Sequence, residues 1–80
     1  MYNTIIKAIQ LHGLTAWESR IFKGIIWIQD KSGKYLPSAS LIISHGGRME
    51  LSVGHREFIL NMSDPEAIQK IADLTKKHRE

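Results

Sequence analysis

The sequence predicts an α+β fold, a four-stranded antiparallel meander flanked by an N-terminal and a C-terminal helix in the order α-β-β-β-β-α. Three observations carry that expectation. Apolar residues recur at helical spacing near both ends of the chain, they alternate with polar ones through the middle, and the turns between the alternating runs are short enough to join only neighbouring antiparallel strands.

The first helix rests on Tyr2, Ile5, Ile6 and Ile9, which fall at i, i+3, i+4 and i+7 and so share one face. It is expected over residues 2 to 12, and Gly13 supplies the left-handed stop. Thr15 and Glu18 then have capping-box spacing, which reads as one further helical turn over Ala16 to Arg20. From Ile21 to Gln29 the chain is rich in β-branched and aromatic residues, and Asp30 to Lys34 has a turn composition, so a strand and a hairpin loop follow.

Tyr35 to Ser44 reads as the second strand, with Pro37 near its start, at a bulge or at an edge because proline cannot donate to a ladder. His45, Gly46, Gly47 and Arg48 make the next turn. Met49, Leu51 and Val53 then alternate with Glu50 and Ser52 in a third strand. After the Gly54, His55, Arg56 turn, Phe58, Leu60 and Met62 alternate with Glu57, Ile59 and Asn61 in a fourth. Asp64, Pro65 and Glu66 open the last helix: a side-chain cap, a proline whose missing N–H costs nothing there, and an acid at the positive end of the dipole. Ile68, Ile71, Ala72 and Thr75 form its buried stripe, which runs to about His78.

Eighty residues enclose one core, so a single compact domain over residues 1–80 is expected. At 42% hydrophobic and 24% charged the chain has the composition of a folded protein. The absence of cysteine rules out a disulfide framework, a thiolate nucleophile and a cysteine-based zinc site. It also fits a reducing compartment. No apolar run has the length of a signal core or a membrane span, so the expected location is cytoplasmic, with no membrane partner.

Catalysis requires a base held by an orienting partner, and the histidines do not provide one. His12 and His78 sit beside helix ends, where a partly cationic ring complements the dipole. His45 and His55 bound the third strand and fall at its opposite ends, too far apart to share a metal. Gly46 and Gly47 do not open a helix, so they match neither a P-loop nor a dinucleotide fingerprint; a turn requiring positive φ explains them. The expectation is a non-enzymatic protein without cofactor or metal.

Two features point to binding. The first is a basic pole. Two strands separate the 30–34 loop from the 54–56 turn, which puts Lys31, Lys34, His55 and Arg56 at one end of the sheet. The last helix returns Lys76, Lys77, His78 and Arg79 to that same end. Six of the eleven Lys and Arg would gather there, opposed by Asp30, Glu57, Asp73 and Glu80. Dipole complementarity and solubility account for such charges equally well.

The second is the strand at 21–29, apolar on both faces. Phe22, Ile26 and Ile28 form one face, and Ile21, Ile25 and Trp27 the other. A two-faced strand needs two covers. One helix on each side of the sheet would supply them, as would a non-sequential strand order. Otherwise Trp17, Arg20, Ile21, Ile25 and Trp27 form a partner-binding or homodimer surface, with tryptophan and arginine as the usual anchors.

The leading functional expectation is therefore a small regulatory or inhibitor-type protein that docks on a protein or nucleoprotein. Compact chains of this kind are common among proteins carried by phages and other mobile elements. The alternative is a nucleic-acid-binding module using Lys31, Lys34, His55, Arg56, Lys76, Lys77 and Arg79. The double-stranded RNA binding domain is not matched, since Asp64 and Glu66 stand where its last helix wants lysines.

Overall fold

The computed structural model describes residues 2–30 and 39–78. Their order is α1 (Asn3–Gln10), β1 (Leu14–Glu18), β2 (Ile25–Asp30), β3 (Ala39–Ile43), a 3₁₀ turn (His45–Gly47), β4 (Arg48–Val53), β5 (Arg56–Asn61) and α2 (Ala67–His78). The class is α+β as expected, but the sheet has five strands instead of four, all antiparallel and in sequential order.

The added strand is the segment read as a capped helical turn. Thr15 and Glu18 do have capping-box spacing, yet Leu14 and Ala16 are buried while Thr15 and Trp17 face away, which is the period of a strand. Pairing with β2 supplies ladder hydrogen bonds to this segment and buries Leu14 and Ala16, which a lone helical turn could not do. Residues 21 to 24, expected inside the following strand, instead form the connection into β2. Gly24 has a φ of 80° there, which ends any extended run through it. Only Ala39–Ile43 of the expected 35–44 strand is described as strand; Tyr35 and Pro37 lie outside the described residues.

One set of alternating positions builds the core: Leu14 and Ala16, Ile26 and Ile28, Ala39 and Leu41, then Met49, Leu51 and Val53. The helices cover that set from one side. Ile9 of α1 and Ala67, Ile71 and Ala72 of α2 belong to the same cluster, and α1 packs on both β1 and α2. Tyr2, Ile5 and Ile6 complete the helical face read from their spacing. In α2 the buried stripe is Ala67, Ile71, Ala72 and Thr75, whose hydroxyl donates to the Ile71 carbonyl at 2.7 Å and so avoids an unsatisfied polar atom.

The last helix starts at Ala67, later than Asp64, Pro65 and Glu66 predict and with no acid in its first turn. Asp64 instead orders the turn that leads into it. Its Oδ1 accepts from the Glu66 N–H at 2.9 Å and its Oδ2 from Lys70 Nζ at 2.7 Å. The Lys70 hydrogen bond, reinforced by the Glu66 N–H, holds the Asp64 carboxyl below the usual carboxylate range, and the same contact raises the Lys70 ammonium. Gly46 and Gly47 take φ of 77° and 81°, which is the turn geometry that accounts for the pair.

Candidate functional site: the uncovered sheet face

Because both helices lie on one side, no described element packs on the other face of the sheet. The two-faced strand is β2, paired on both edges, and its second cover is missing among the described residues. The register fixes what that face presents. One row reads Trp17, Trp27, Ser40, Ser52 and Glu57 from β1 to β5, and the adjacent row on β2 to β5 reads Ile25, Ile42, Glu50 and Ile59. The apolar weight falls on β1 to β3. The β4–β5 side is polar apart from Ile59, with Arg48 and Glu50 paired at 3.3 Å.

Trp17 is 39% exposed and Ile59 58%, while Ile25, Trp27 and Ile42 are half-buried and Gln29, in phase with Trp27, is buried. Trp17, Ile25 and Trp27 thus share the face on which the sequence places them. Ile21 does not lie on it: it sits in the β1–β2 connection at 83% exposure, beside the exposed Arg20 and Phe22. Ile42 and Ile59 are members that the sequence reading missed. Their signal was the side they occupy, since Ile59 alternates in phase with Glu57 and Asn61, and Ile42 with Ser40.

At one end of the sheet the described members of the basic pole do converge. Leu14 pairs with Asp30, and Val53 with Arg56, so the start of β1, the end of β2 and the β4–β5 turn carrying His55 share that end. The α2 C-terminus arrives there: the His78 ring stacks on Phe58 at a centroid distance of 5.3 Å. Burial, and then the charges of Arg56 and Lys77, depress the His78 pKa. Lys76 Nζ donates to the His12 carbonyl at 2.7 Å, so this lysine caps the end of the α1 segment. Lys31, Lys34 and Arg79 lie outside the described residues.

The opposite end holds a cleft of about 650 Å³ lined by Tyr2, Glu18, Lys23, Ile43, Ser44 and His45. His45 and His55 sit at opposite ends of β4, and among the described residues no three His, Asp or Glu side chains gather as a metal site. No described helix is long and apolar enough to cross a membrane. No family model, curated protein or solved structure matches the chain.

Proposed function

We propose that this protein is a non-enzymatic regulatory or inhibitor-type binding protein that docks on a protein partner through the uncovered sheet face. The observation supporting this reading is the placement of both helices on one side, which leaves Trp17, Ile25, Trp27, Ile42 and Ile59 on a surface that nothing described covers. Leaving Trp17 and Ile59 exposed forgoes burial worth roughly 25 cal/mol per Å² of apolar area. A contiguous patch of that kind marks an interaction site more often than scattered surface apolars do.

The size suits the role. Five strands about 4.8 Å apart and five to six residues long present a flat footprint of roughly 400 Å². Side-chain relief adds accessible area, toward the ~800 Å² per partner of a standard interface. Trp17 and Trp27 are anchor types, and the Arg48–Glu50 pair, Ser52 and Glu57 suit a polar rim.

The test is affinity capture from cell lysate after nuclease digestion, comparing the native chain with a Trp17→Ser, Ile59→Ser double variant. The expected result is a protein retained by the native chain and lost by the variant, whose thermal melt stays native. Retention by the variant overturns the reading. So does a captured set that vanishes on nuclease treatment, which supports the nucleic-acid alternative, or a concentration-dependent dimer that occupies the face in place of a partner.

A further inference from the structure

The β1–β2 connection carries the one adjacent pair of exposed large apolar side chains among the described residues, Ile21 and Phe22, at 83% and 56% exposure. Its backbone is pinned. Ser19 Oγ accepts from the Ile21 N–H at 3.2 Å and the Phe22 N–H at 3.0 Å, and the Ser19 N–H donates to the Ile25 carbonyl at 2.8 Å. Gly24, at positive φ, then turns the chain back into β2. The same Ser19 hydroxyl that orders the loop therefore holds two apolar side chains in water, where they contribute nothing to the core. A preorganised apolar pair of this kind keeps the ordering cost of binding low.

The pair is bracketed by cations. Arg20 precedes it and Lys23 follows it, and neither takes part in an ion pair among the described residues. Glu18, the nearest acid in sequence, is exposed and lines the same cleft as Lys23, so residues 18–23 carry two cations against one acid. The tip is thus an apolar projection inside a positive rim, at the same corner of the sheet as Trp17 and Ile25.

We infer that the 20–23 tip is an anchor that inserts into an apolar socket on a protein partner, and that carboxylates rim that socket. The inference rests on the docking role proposed above and adds the charge and shape of what docks. Charge complementarity selects this occupant. A second copy brings a chain of net charge +3 bearing the same bracketing cations. An anionic bilayer could take the tip at the end of the strands. A flat surface there would leave the tryptophan face, which looks across the strands, in water.

The test uses random peptides displayed on yeast, sorted against the full chain at low salt. The winners are then assayed on three variants: Arg20→Glu with Lys23→Glu, Ile21→Ser with Phe22→Ser, and Trp17→Ser. The expected winners carry acidic residues flanking an apolar centre, weaken with added salt, and lose at least about tenfold in affinity on the charge-reversed variant and more on the Ile21, Phe22 variant. Circular dichroism melts establish that each variant is folded. Winners without acidic excess, or equal affinity for the charge-reversed variant, overturn the inference. Loss on Trp17→Ser with both tip variants binding normally overturns the tip and leaves the face reading standing; the reverse pattern removes the face and keeps the tip. A sort that enriches nothing, with vesicles of phosphatidylserine retaining the native chain and not the tip variants, assigns the tip to membranes and overturns the inference.

Discussion

At the scale of single residues the clearest consequence concerns His78. Its ring is stacked on Phe58 and depressed in pKa first by burial and then by Arg56 and Lys77, so the folded chain binds a proton there less readily than the unfolded chain does. The unfolded ring titrates near 6.5. As pH falls through that value the unfolded state takes up the proton first, and stability declines until the folded ring titrates as well. Urea titrations at pH 7 and pH 5 are expected to show lower stability at the acid side, and His78→Phe to flatten that difference. An unchanged pH dependence in the variant would place its source elsewhere. Gly24 supplies a second residue-scale prediction. Its φ of 80° is left-handed, and a Cβ there would stand 3.4 Å from the Ile43 carbonyl oxygen. Gly24→Ala is expected to cost about 1–2 kcal/mol in chemical denaturation.

At the scale of elements, the two faces of the sheet make opposite forecasts. Ile71 of α2 is fully buried over the sheet, and Ile71→Ala is expected to destabilise by about 2–5 kcal/mol. Ile59, on the uncovered face of β5, is expected to tolerate serine within about 0.5 kcal/mol. Denaturant midpoints of the two variants check the contrast, and a large loss at Ile59 would show that its face is covered. The sequence made most elements legible because their signals act locally. Asp64 orders the turn into α2 through hydrogen bonds from the Glu66 and Ala67 N–H groups, and Tyr2, Ile5, Ile6 and Ile9 share a face whatever they pack against. β1 escaped because Thr15 and Glu18 carry a local helix signal, while the strand signal of Leu14 and Ala16 is only two residues deep. Its pairing with β2 is not a local property. The side of the sheet chosen by each helix was likewise hidden, since an amphipathic stripe specifies that it is buried and not against which face. For that reason Trp27 and Ile25 were readable as an unexplained second face, whereas the membership of Ile42 and Ile59 needed the register.

At the scale of the whole molecule the charges are unevenly spread. Arg56, Lys77 and His78 gather where both helices end, and Lys76 is engaged by the His12 carbonyl. Under the docking role these charges steer encounter and lie outside the contact. Reversing Arg56 and Lys77 together is therefore expected to slow association with the captured protein by several-fold at low salt and to leave dissociation nearly unchanged, read by surface plasmon resonance. A faster dissociation would move the pole into the interface. For duplex nucleic acid the same variant would instead reduce the steepness of the salt dependence, which runs at a log-log slope of about −0.9 per phosphate neutralised.

The strictly sequential meander also bears on how the chain reaches this arrangement. Every strand pairs with its neighbour in sequence, so each hairpin can close over a short loop, and closure entropy stays small throughout the sheet. The exception is the seam between the chain's two ends, where α1 meets α2 and Lys76 reaches a carbonyl 64 residues away. That seam has the longest closure to make and is expected to form after the folding barrier. Lys76→Met should cost about 1 kcal/mol, and stopped-flow chevrons should place that loss in a faster unfolding limb with the refolding limb nearly unmoved. The lifetime of the native state would then be set by the join between its two termini, with the sheet itself serving as the early-formed template on which that join is made.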